Sequence, residues 1–231
     1  MTKLPGILIA AAVPLVILAF WPLYLSRPLA STDSYTHFHA LTGTLWLGML
    51  IAQPIAVHNY RYGLHRALGR LSFAIAPLFF VAGILLSHYR LTSMDDATFA
   101  VEGYSHFLPF YASIVFALAY SFGLIYRSRP DVHGRFMLLT AIPLIDPVLG
   151  RILFFYFPTL PNPLLYQAIT FSVATIIAAI IVFSYKGTGP PRRALLSYFV
   201  ILIALEAGWF TFARTGVWLE VVAWFRRLSI T

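Results

Sequence analysis

Seven times along this chain about 20 mostly apolar residues run together, at 5–25, 35–57, 70–90, 104–126, 134–157, 163–185 and 194–213. That is the length an α-helix needs to cross the hydrocarbon core of a bilayer. In lipid every backbone N–H and C=O must be satisfied within the protein, which leaves helices or a closed barrel. Barrel strands alternate in polarity over about 10 residues. Runs such as Ala10–Phe20 and Ile176–Phe183 show no alternation. The expected fold class is therefore all-α: a polytopic membrane helical bundle of about seven transmembrane helices. Composition agrees, with 60% hydrophobic and 10% charged residues, against roughly 45–50% and 25% in soluble domains. This excludes a soluble enzyme, a disordered chain and a nucleic-acid binder, and makes the lipid bilayer the first partner. The absence of cysteine removes disulfides, iron–sulfur clusters and thiolate metal sites.

The connections are short, and no soluble domain interrupts them. A single bundle is expected over residues 1–213, followed by a tail at 214–231. Within that tail, 217–228 (V-W-L-E-V-V-A-W-F-R-R-L) predicts an interfacial amphipathic helix. The first run has the outline of a signal peptide: Lys3, an apolar core, then Pro28-Leu29-Ala30. Its apolar stretch of about 20 residues is long for such a core, and a retained helix is expected.

Basic residues cluster in alternate connections. Arg61, Arg66 and Arg70 lie in 58–70, Arg127, Arg129 and Arg135 in 127–135, and Lys186, Arg192 and Arg193 in 186–193. Lys3 brings one side to ten, while the other holds Arg27 and Arg90 beside Asp33, Asp95, Asp96 and Glu102. By the positive-inside rule the chain sits in the inner (cytoplasmic) membrane with its N-terminus cytoplasmic. Arg214, Arg226 and Arg227 fit badly, because seven spans put them outside.

That topology sorts the seven histidines. His37 and His39 open the second run, His88 closes the third and His106 opens the fourth, all at the outer end. His58, His65 and His133 lie at the inner boundary. At about 100° per residue His37 and His39 face opposite ways. His39 heads a stripe with Gly43, Trp46, Leu50 and Gln53, and His106 one with Ser113 and Tyr120. Gly43 leaves room for a close neighbour or a flat ligand. Imidazole ligates both metals and haem iron.

Charged residues inside spans are the second signal. Asp146 and Glu206 lie mid-span, with Arg151 a turn and a half beyond Asp146. Such charges carry a penalty of roughly 2.5–3.5 kcal/mol at the bilayer centre, so they pair or line polar cavities. An Asp146–Arg151 pair is one expectation. A proton path, or an anchor for an anionic group, is the other. The inner segments Leu64–Arg70 and His133–Thr140 are expected to be topology charge with boundary histidines; a basic pocket for a lipid head group is the alternative.

Three motifs carry a resemblance. His39 to Gln53 (H-A-L-T-G-T-L-W-L-G-M-L-I-A-Q), Leu64 to Gly69 (L-H-R-A-L-G) and His133 to Thr140 resemble an uncharacterised family of bacterial multi-pass membrane proteins. The resemblance implies a fold and no activity. A weaker likeness, in architecture only, is to small haem-binding membrane cytochromes. The chain lacks their paired histidines 13 or 14 residues apart on one helix, His39 and His58 being nineteen apart.

Several seven-span classes fall away. The only lysines, Lys3 and Lys186, lie outside the spans, which excludes a retinal protein. The final span holds no histidine for a seven-span zinc hydrolase, no Gly-x-Ser-Gly supports a rhomboid-type protease, and the histidine spacing does not match the di-iron hydroxylases.

Three functions stay open. One is haem b between His39 and His106, with His88 or His37 as alternates, Arg151 on a propionate, Trp46 and Phe110 lining the ring, and a quinone or other redox partner. A second is a mononuclear divalent metal such as zinc, held by three of His37, His39, His88 and His106 plus a carboxylate from Asp33, Asp95, Asp96 or Glu102. The third is a carrier, lipid-binding or assembly protein with no cofactor.

Overall fold

A computed structural model describes residues 4–158 and 162–231. Lys3, counted above among the inner charges, lies outside them. The architecture is an all-α polytopic bundle, with seven helical stretches long and apolar enough to cross a membrane. The elements are α1 (Leu4–Phe20), α2 (Ser34–His58), α3 (Tyr62–Thr92), α4 (Asp96–Glu102), α5 (Phe107–Ile125), α6 (Pro130–Leu139), α7 (Ile142–Tyr156), α8 (Pro163–Phe183), α9 (Pro190–Thr211) and α10 (Gly216–Arg226). No strand occurs among the described residues.

Contacts sort the helix ends into two groups. At one end His65 meets His133, and Arg135 bonds the Ile181 carbonyl and the Ser184 hydroxyl. At the other end Arg90 pairs with Asp33 and Arg226 with Asp96. The arginine-rich connections therefore gather at one end, as the charge pattern predicts.

Three elements differ from expectation. Helix α3 begins at Tyr62, not near residue 70, so the arginine-rich segment is its first turns rather than a loop. Long arginine side chains let a helix start before the apolar core, with the heads kept in water. The span expected over 134–157 is two helices, α6 and α7, broken at Thr140–Ala141. Pro143, in the first turn of α7, has no N–H for a continuous ladder. Finally, α10 does more than lie on the lipid surface. Trp218 and Val222 belong to the main buried cluster with Phe107, Trp209 and Tyr198, while Val217, Val221 and Trp224 stay exposed. The misfit arginines find partners there: Arg226 reaches Asp96, and Arg214 lies over the rings of Tyr104 and Trp209.

The core has two parts. A large cluster is built from α5 to α10, and a smaller one joins α2, α3 and α5 through Trp46, Met49, Ile75, Phe116 and Tyr120. Helix α1 is peripheral and touches α2 and α7. It approaches α2 closely because Gly6 has no side chain; a Cβ there would lie 2.7 Å from the Ile51 carbonyl oxygen.

Candidate functional site

The four outer histidines do not share one centre. His37 is engaged at both nitrogens, by the Tyr24 hydroxyl at 2.9 Å and the Leu29 carbonyl at 3.0 Å, and so ties α2 to the preceding connection. His39 points the other way and stacks on Phe79 of α3 with centroids 5.1 Å apart. The same Phe79 ring fills the space beside Gly43, 3.1 Å from where a Cβ would stand. The flat group next to Gly43 is thus a side chain of the protein itself. His88 is fully buried, 2.6 Å from the Thr231 hydroxyl and edge-on to Phe225. His106 sits in the 3-10 turn before α5, beside Ser87 at the end of α3. It lines an apolar cleft of ≈ 150 Å³ with Ile84, Phe110, Trp218 and Trp224. His39 Nδ1, His88 Nε2 and His106 Nδ1 are buried without a hydrogen-bond partner. Among the described residues no three histidines or carboxylates form a metal-holding group, so the expected three-histidine site is not assembled.

The intramembrane carboxyls are better organised. Asp146 of α7 accepts hydrogen bonds from Gln167 Nε2 at 2.5 Å and Thr170 Oγ1 at 2.7 Å, both on α8. Glu206 of α9 is buried and accepts from Tyr111 of α5 at 3.3 Å and from Thr175 of α8. The two carboxyls and Tyr111 lie in one electrostatic neighbourhood. Helices α5, α7, α8 and α9 therefore contribute to one polar centre inside an apolar cluster.

The expected Asp146–Arg151 ion pair is not formed. Among the described residues the ion pairs are Arg90–Asp33 and Arg226–Asp96. Arg151 instead donates to the Pro147 carbonyl one turn back, at 2.8 Å, and lies over the Phe20 ring at 4.8 Å. Pro147 has no N–H to bond back, which frees the carbonyl of Pro143, while the guanidinium of Arg151 folds back along its own helix to the carbonyl four residues earlier.

A third polar group lies at the arginine-rich end. The Gln53 carbonyl oxygen is 3.2 Å from the Gly69 N–H, which turns its amide nitrogen toward His65 Nδ1. His65 and His133 rings meet edge to face with centroids 6.4 Å apart. His133 Nδ1 bonds the Gly123 carbonyl at 2.8 Å. From there a string of polar contacts runs into the bundle. Ser72 donates to the Gly69 carbonyl at 2.7 Å, so it receives the Tyr120 hydroxyl at 3.1 Å. Trp46 touches the Tyr120 ring and donates to Thr140 at 3.2 Å. Tyr198 caps the neighbouring Leu139 carbonyl at 3.2 Å. The three motif segments are thereby joined to one another.

Sequence reasoning named Asp146 and Glu206 but missed their partners Gln167, Thr170, Thr175 and Tyr111. The available signal was polar residues within the apolar run 163–185, at Gln167, Thr170 and Thr175. Tyr111 carried none, since an apolar face accommodates a tyrosine equally well. Comparison with family models, with curated proteins and with solved structures returns no match for this chain.

Proposed function

We propose that this multi-pass membrane protein is a proton-coupled carrier whose working groups are Asp146 and Glu206. One observation carries the reading. Two carboxyls lie inside the bundle, and each is held by neutral donors with no cation in contact. Arg151 acts on Asp146 across a gap, and a permanently ionised pair in that position would be costly without a counter-charge in contact. A hydroxyl can donate to a carboxylate or accept from a carboxylic acid, so Thr170, Thr175 and Tyr111 serve both protonation states. Intramembrane acids of this kind mark proton relays.

The test is proton entry into vesicles carrying the reconstituted protein and a trapped pH dye, after an external acid pulse. Wild type acidifies the lumen faster than protein-free vesicles. Asp146→Asn and Glu206→Gln each slow entry by roughly a hundredfold, the lower side of what a positioned proton-transfer group contributes. Wild-type entry no faster than in empty vesicles would overturn the reading.

A second reading, haem b held by His39 and His106, is favoured by their unpartnered ring nitrogens. It needs Phe79 to leave the slot beside Gly43. The group would supply one-electron chemistry, with a quinone as a natural lipid-soluble partner. A Soret band on the purified protein, lost in His39→Ala and in His106→Ala, supports it; a colourless protein removes it.

A further inference from the structure

We infer that the His65–His133 pair is the port at which protons enter and leave the path to Asp146 and Glu206, on the arginine-rich face. This rests on the proton-coupled reading above and adds a second, surface-side site to it.

The pair has the attributes of a proton-exchange site. Both residues are half-buried at the helix ends, within reach of water. Both are oriented through Nδ1 by the protein, which leaves Nε2 for exchange. The orientation also differs between the two rings. With the Gln53 amide assigned so that its oxygen accepts from the Gly69 N–H, its nitrogen donates to His65 Nδ1. That puts the proton of neutral His65 on Nε2. His133 Nδ1 faces a carbonyl, which accepts only, so neutral His133 carries its proton on Nδ1 and offers Nε2 as an acceptor. A donor nitrogen and an acceptor nitrogen thus stand on two rings in contact. A proton taken by His133 Nε2 from water makes it cationic, and its release inward or back to water restores the neutral tautomer.

From the port, hydrogen bonds lead from Gln53 and the Gly69 backbone to Ser72 and Tyr120, and Trp46, packed edge-on against the Tyr120 ring, donates onward to Thr140. Hydroxyls and bridging water carry the proton; Trp46 lines the route and donates only. The α6–α7 break separates Thr140 from Asp146 with no contact between them among the described residues, and the inferred path needs water to bridge that interval. The three segments that carry the sequence motifs are the three that build the port and its first steps.

The experiment uses the full chain in the same dye-loaded vesicles. His65→Gln and His133→Gln are each compared with wild type and with His58→Ala, an exposed histidine of the same face. Millimolar imidazole is then added as a diffusible proton carrier. Entry falls at least roughly tenfold in both port variants, returns toward the wild-type rate with imidazole, and is unchanged in His58→Ala. With the entry that imidazole causes in protein-free vesicles subtracted, rescue distinguishes a proton port from a histidine that only holds the fold. Wild-type rates in both port variants, or a loss that imidazole does not restore, would overturn the inference while leaving the carboxyl reading standing. A wild type that does not conduct at all removes the carboxyl reading itself, and the port with it.

Discussion

Asp33 caps the second span by taking both the backbone N–H and the hydroxyl of Thr36, each at 2.8 Å, and it also faces Arg90 at 3.4 Å. Partial burial works against its charge, but the Thr36 hydrogen bonds and the Arg90 guanidinium outweigh it and hold its pKa below the usual carboxylate value. A carboxyl depressed in the folded state stabilises the fold above its unfolded pKa, and that contribution is lost as pH falls through the folded pKa. Asp33→Ala should therefore lower stability at neutral pH by about 1 kcal/mol. The gap from wild type should narrow in acid, as pH falls below the ordinary carboxylate range and through the depressed folded value. Thermal melts in detergent at both pH values check the sign. At this scale the sequence was informative about charges and poor about partners. Asp146 and Glu206 stand out in any hydropathy trace because charge is rare in lipid. Arg151 has a different contact from the one its spacing suggests, since five residues along a helix do not reveal that its guanidinium turns back to the Pro147 carbonyl and the Phe20 ring. His65 and His133 looked like boundary residues because their meeting depends on how α3 and α6 pack.

Among the helices, the break between α6 and α7 matters most. It sets Thr140 where Trp46 of α2 can donate to it, and it starts α7 afresh so that Asp146 faces α8. Thr140→Val keeps the shape and removes the acceptor. It should cost about 1 kcal/mol, the usual scale for a side-chain hydrogen bond between membrane helices, and the Trp46 fluorescence maximum should shift. An unchanged melt with unchanged emission would mean the bond does not hold the break. The seven spans were legible because 20-residue apolar runs have no other use in a chain this poor in charge. The break was not, because two prolines, Pro143 and Pro147, compete for the same role and hydropathy runs smoothly across both. The tail was legible as an amphipathic helix, but its docking was not. Nothing in 217–228 distinguishes a Trp aimed at lipid from one aimed at Phe107.

For the whole molecule, the contacts divide the helix ends into an arginine-rich face and a face holding Asp33, Asp96 and Arg226. Reporter fusions at Asp95 and Gly189 should fall on opposite sides of the membrane, with Gly189 cytoplasmic by the positive-inside rule. The same side for both would contradict the bundle itself. The polar string from His65 to Thr140 runs inward from the arginine-rich face, and the protonation of Asp146 and Glu206 beyond it is the claim on which the account depends. The most direct measurement of that protonation is the infrared carboxyl band of the purified protein, recorded as difference spectra between acid and alkaline buffer. Wild type should show buried carboxylic acid bands that change with pH, one lost in Asp146→Asn and the other in Glu206→Gln. Spectra in which the two variants retain every pH-dependent carboxyl band of wild type would contradict it.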